Sequence, residues 1–139
     1  MIAMARRRLK QAVGRRVAEY GLSAQQFWVL VHLEEADGPG LGAVCETLRM
    51  DAPTASRIVT ALTRRGLVRP AQDPADRRRT RLKLTAAGRA LARQLRPLAS
   101  QMRSAVEQEL SRREAEELRR LLEKVIAGLD RYDAQGATT

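Results

Sequence analysis

The chain has 139 residues, enough for one domain and too few for two of ordinary size. Its 44% hydrophobic content supports a folded core, and 26 Lys and Arg against 16 Asp and Glu leave a net charge of +10. A single cysteine excludes an intramolecular disulfide framework, and with a single histidine no Cys/His zinc site can be assembled. No metal or other cofactor is expected. No apolar run reaches the ~18 residues of a membrane span, and the basic start (Arg6, Arg7, Arg8, Lys10) is followed by no apolar core of a secretory signal. A cytoplasmic protein with a polyanionic partner and no membrane contact is expected.

The charge is not spread evenly. Residues 53–83 carry nine positive and two negative side chains, residues 1–20 six and one, and residues 21–52 one and five. A block of +7 in so short a stretch fits a nucleic-acid footprint better than a solvated face. Arg6, Arg7 and Arg8 fit either an arm on phosphates or a solvated terminus.

With four aromatic residues and an abundance of Ala, Leu, Glu and Arg, the composition is that of a mainly helical chain. Residues 2–20 form a weakly amphipathic helix through Leu9, Val13, Val17 and Tyr20. Ser23 with Gln26 is a capping-box pair, and it opens a helix through residues 27–33 that is apolar almost all round, hence central. Asp37-Gly38-Pro39-Gly40 ends it. A short helix from Leu41 to Leu48 follows, with Leu41, Val44, Cys45 and Leu48 on one face. Asp51-Ala52-Pro53 starts another, running to Arg65, with Ala55, Ile58, Val59 and Leu62 on its apolar stripe and Gly66 as its stop.

A β-hairpin comes next. Leu67-Val68-Arg69 is a short strand, residues 73–76 are turn chemistry, and residues 79–84 alternate with period two. Arg79, Arg81 and Lys83 share one face, with nothing acidic to offset them; Thr80, Leu82 and Leu84 share the other. Thr85 caps a long helix through Leu110 in which Pro97 predicts a kink or break. Ser111 with Glu114 caps a last helix through Leu129, and residues 136–139 form a frayed tail.

Two short helices joined by a tight turn and followed by a basic hairpin make a winged helix-turn-helix. The fold class expected is mainly α, with a small β-hairpin wing. Residues 22–85 would form the DNA-binding region; the helices of 86–133, whose apolar stripes over 89–110 and 111–131 exceed what the winged part needs to cover itself, would form a dimerisation region beside the helix of 1–20. The second helix of such a pair lies in a major groove with its first residues near base edges. Thr54 and Ser56 are short enough to let the backbone approach, and Arg57 is long enough to reach a guanine or a phosphate. The hairpin tip Arg77-Arg78-Arg79 is placed to enter an adjacent minor groove. Thr54 and Ser56 also fit plain helix-start residues, and Arg64-Arg65 a solvated last turn.

Leu22-Ser23-Ala24-Gln25-Gln26, Leu41-Gly42-Ala43-Val44-Cys45, residues 54–62, Gly66-Leu67-Val68-Arg69, Asp76-Arg77-Arg78 and Leu84-Thr85-Ala86-Ala87-Gly88 resemble the MarR family of bacterial transcriptional regulators. The resemblance covers about residues 20–130, and the Asp-Arg-Arg wing followed by Leu-Thr-x-x-Gly is its strongest part. It implies a homodimer that binds a palindromic double-stranded DNA operator, usually as a repressor released by a small ligand or by oxidation. The recognition positions carried over are Ala52, Pro53, Thr54, Ser56 and Arg57. Asp76 would orient the wing by an ion pair, Arg78 would enter the minor groove, and Arg77 would meet a phosphate. The family carries more chain ahead of its Leu-Ser-x-x-Gln stretch than the 21 residues before Leu22, so the first helix is expected to be short. The alternative class is a non-specific architectural DNA-binding protein.

Cys45 lies on an apolar face and is expected to be a buried small packing residue rather than a redox sensor. His32 and Cys45 have no third orienting group, so neither a catalytic site nor enzyme activity is expected. Trp28 and His32, on the same helix, are the candidates for a small-molecule effector pocket, although a core-packing tryptophan and a partly buried histidine fit them better.

Overall fold

The computed structural model describes residues 1–136; the last three positions of the expected frayed tail lie outside the described residues, and Gly136 ends a helix. The elements in order are α1 (Ile2–Val17) with a short 3-10 turn (Ala18–Tyr20), α2 (Ala24–Glu35), α3 (Leu41–Leu48), α4 (Ala52–Arg64), β1 (Val68–Gln72), β2 (Thr80–Leu84), α5 (Ala86–Glu107) and α6 (Arg112–Gly136). Met1–Ser100 form one compact unit, and the chain from Gln101 onward forms a second.

In the first unit α2 is the central element, packed against α1, α3, α4 and β2. Its capping box is complete: Gln26 N donates to Ser23 Oγ, and Ser23 N to Gln26 Oε1. Phe27, Val29 and Leu30 are wholly buried, beside Val13 and Val17 of α1, Val44 of α3, Leu62 of α4 and Leu95 of α5. Each such side chain contributes about 1.5–3 kcal/mol by leaving water, which explains why the nearly all-apolar segment takes the middle. Glu34, near the end of α2, is hydrogen-bonded by the Arg96 guanidinium, which holds its carboxyl below the usual glutamate range. Arg65 at the end of α4 is an internal clasp rather than a solvated last turn. Its Nη1 donates to Gly21 O (2.8 Å) and its Nη2 to Tyr20 O (2.9 Å).

The hairpin is longer than its pattern suggested. β1 runs from Val68 to Gln72 and pairs antiparallel with β2 in the register Val68↔Leu84, Pro70↔Leu82, Gln72↔Thr80. Pro70 is tolerated because it faces Leu82 across a pair that does not exchange hydrogen bonds. The Leu82 N–H points the other way and donates to Pro39 O (2.9 Å) in the loop after α2. The sheet face expected to carry only cations holds a carboxylate after all: Arg81 Nε donates to Asp73 Oδ2 at 2.8 Å.

Of the kink or break expected at Pro97, there is no break: α5 continues through it. A proline removes one main-chain donor, and the turns on either side keep theirs. In the second unit, Ser111 and Glu114 form a reciprocal cap at the start of α6. No residue of α6 is buried. Leu118, Leu121, Leu122, Val125, Ile126 and Leu129 are each 37–59% exposed along one stripe.

Candidate nucleic-acid interface

The turn between α3 and α4 is made by Arg49, which adopts left-handed backbone angles (φ 50°, ψ 51°) while Met50 N closes onto Cys45 O at 2.9 Å. Asp51 then caps α4. Its Oδ1 accepts from Thr54 N (2.8 Å) and its Oδ2 from Thr54 Oγ1 (2.8 Å), and these bonds hold the Asp51 carboxyl below its usual range. Pro53 sits in the first turn, where a missing N–H costs no helical bond. Ala55, Ile58 and Leu62 face the core, so Ala52, Pro53, Ser56 and Arg57 are left exposed and Thr54 half-buried. The amphipathic stripe thus turns the predicted recognition positions outward. Arg57 is not loose: its Nη2 donates to Thr54 Oγ1 at 3.3 Å.

The wing tip between the strands is held by two aspartates, one buried and one nearer the surface. Asp73 is the one buried charged residue among the described residues. Its Oδ1 accepts from Ala75 N (2.8 Å), its Oδ2 binds Arg81, and its own N–H donates to Arg79 O (3.0 Å). Asp76 Oδ1 accepts from the main-chain N–H of Arg78 (3.0 Å), and its Oδ2 lies 3.6 Å from Arg79 Nε. The ion pair of Asp76 is therefore with Arg79, at the wing surface. Arg77 and Arg78 are exposed, and neither side chain has a partner among the described residues.

The basic block of residues 53–83 thereby sorts into two kinds of cation. Arg65 and Arg81 serve the fold, whereas Arg57 on α4 and Arg77 and Arg78 at the wing tip stand exposed. Asp73 was legible in the sequence only as a turn residue. Its pairing with a strand arginine eight positions away carried no signal of its own.

Trp28 and His32 are both half-buried on α2. Trp28 packs edge-on against Phe27 (ring centroids 4.8 Å apart), and His32 Nε2 is buried without a hydrogen-bond partner among the described residues. Cys45 is unbridged and half-buried rather than buried as expected, while Val44 beside it is the residue of α3 that enters the core. Among the described residues no group of His, Cys, Asp and Glu could hold a metal ion, and no helix is long and apolar enough to cross a membrane.

Two packed helices about a tight turn, a third beneath them and a basic wing define a winged helix-turn-helix protein. A sequence model of the MarR family matches residues 20–79. A search of curated proteins finds no match. Among solved structures, a MarR transcriptional regulator from Methanosarcina mazei superposes with a TM-score of 0.74 at 26% identity, covering 93% of this chain and 94% of that one. A mutant MarR from E. coli complexed with operator DNA gives 0.76 at 26% identity, covering 89% of each chain. The S. aureus MepR–DNA complex gives 0.81 at 23% identity, covering 91% and 94%, a likeness of fold. The family and these neighbours are transcription regulators, not enzymes.

Proposed function

We propose that this protein is a cytoplasmic, sequence-specific repressor that binds a palindromic operator as a homodimer. α4 lies in the major groove with Ala52, Pro53, Thr54, Ser56 and Arg57 toward the bases, and the wing lies in the adjacent minor groove. The observation that carries this reading is the wing tip. Its two aspartates hold the turn and leave Arg77 and Arg78 exposed, with no partner among the described residues and open to an anion. Two structural neighbours solved with DNA support the same partner.

The support for the dimer is the apolar stripe of α6, six large apolar side chains each 37–59% exposed. Release by a small ligand belongs to the same proposal. Its support is the unpartnered His32 Nε2 beside Trp28, a polar atom that an effector could satisfy.

Selection from random duplex DNA at about 150 mM salt tests the whole reading. Enrichment of an inverted repeat with half-sites about 10 bp apart is the expected result. Binding that enriches no sequence and collapses with salt would replace it with the architectural reading.

A further inference from the structure

Asp51, Thr54 and Arg57 stand one helical turn apart along the outer face of α4, and their hydrogen bonds run in one direction. Thr54 Oγ1 donates its proton to Asp51 Oδ2 (2.8 Å), and Arg57 Nη2 donates to the same Oγ1 (3.3 Å). The Thr54 main-chain N–H is held separately by Asp51 Oδ1 (2.8 Å). With its proton committed to the carboxylate, the Thr54 hydroxyl has only lone pairs to offer, and these face the guanidinium. We propose that Thr54 is a positioning residue for sequence readout: its hydroxyl, oriented by Asp51, holds the Arg57 guanidinium back over the first turn of α4, ordered before DNA arrives.

The physical consequence concerns entropy and direction. A free arginine on a helix surface samples many rotamers, and ordering it on binding costs affinity. A guanidinium drawn toward the helix N-terminus sits where a recognition helix meets base edges, rather than splayed toward the backbone. The tether uses one N–H of five, which leaves the fork needed for the O6 and N7 of a guanine. Thr54, by the same reasoning, donates no hydrogen bond to a base. Asp51 is doubly engaged within the helix start, so its charge serves the relay.

This inference rests on the reading of α4 as the recognition helix, and a double-mutant cycle separates the two. The probe is the duplex that the wild-type protein enriches from a random library, compared with a scrambled duplex of equal length and composition. Thr54→Val keeps the main-chain cap and removes only the hydroxyl. It should weaken binding to the selected duplex about threefold to tenfold, the cost of ordering one long side chain, with little change on the scrambled one. In an Arg57→Ala background the same substitution should cost nothing further, and Thr54→Ser should restore wild-type binding. Thr54→Ala, a better helix former, repeats the measurement should the valine variant fold poorly. Full additivity of the Thr54 and Arg57 losses, or equal weakening on both duplexes, overturns the relay and leaves the regulator reading standing. A library that yields no preferred duplex overturns both.

Discussion

Gly88 lies directly against the Leu67 carbonyl: a Cβ built on it would overlap the carbonyl oxygen and stand 2.8 Å from the carbonyl carbon. Thr85 completes the junction. Its N–H donates to Leu67 O (3.0 Å), its hydroxyl donates to Gly66 O (2.6 Å), and the hydroxyl accepts from Gly88 N (3.0 Å). The Leu-Thr-x-x-Gly run is therefore a clasp that seats the start of α5 on the stretch joining α4 to β1. Gly88→Ala must force two backbones apart, and overpacking of this kind costs about 1–3 kcal/mol or more. Urea denaturation measures it, and an unchanged midpoint would show that the contact can relax.

Arg57 and Arg78 should fail in different ways. Arg78→Ala removes a wing cation; it should weaken binding across sequences and reduce the salt slope by about one unit. Arg57→Ala should relax base preference at particular operator positions, costing about 1–3 kcal/mol on the selected duplex. Binding isotherms at several salt concentrations, on the selected duplex and its single-base variants, distinguish the two. Identical behaviour of the variants would contradict the division of roles.

Asp73 should make the wing acid-sensitive. Its carboxyl is held below the usual aspartate range chiefly by the Arg81 guanidinium, with the Ala75 N–H next. A carboxyl lowered on folding contributes stability above its unfolded pKa, about 4, and that contribution is lost as the pH falls through the lower folded value. The wild-type melting temperature should therefore drop more steeply on acidification below about pH 4 than that of Asp73→Asn. Parallel curves would remove Asp73 from the account of wing order. Glu34, lowered by Arg96, contributes in the same direction and is common to both proteins.

The α6 stripe should set the oligomeric state. A charge placed at Leu122 or Ile126 meets no cost on an exposed monomer surface, but a severe one in a buried apolar interface. Leu122→Glu should shift sedimentation toward the monomer and weaken operator binding, while leaving the thermal stability of the Met1–Ser100 unit intact. A variant that sediments as the wild type does would mean that α6 is not the interface.

Local rules made much of this protein legible in advance. The Ser23–Gln26 and Ser111–Glu114 boxes and the Asp51–Thr54 cap each join residues three positions apart, a distance that backbone geometry alone fixes. The centrality of α2 followed from its lack of a polar face, and the outward turn of Ser56 and Arg57 from the spacing of Ala55, Ile58 and Leu62. The basic block between residues 53 and 83 was visible as a count, but which of its cations are free was not.

That sorting was decided only in three dimensions. Arg65 meets Tyr20 and Gly21 more than forty positions away, Arg81 meets Asp73 across the hairpin, and Pro70 is harmless because Leu82 bonds to Pro39 instead. Arg49 carries the helix-helix turn at a positive φ for which glycine would have been the signal. Sequence spacing encodes contacts within a turn or a pleat, where the backbone sets the distance. A hydrogen bond between distant segments exists only once packing has brought them together, so its partners are named by the fold and not by the pattern.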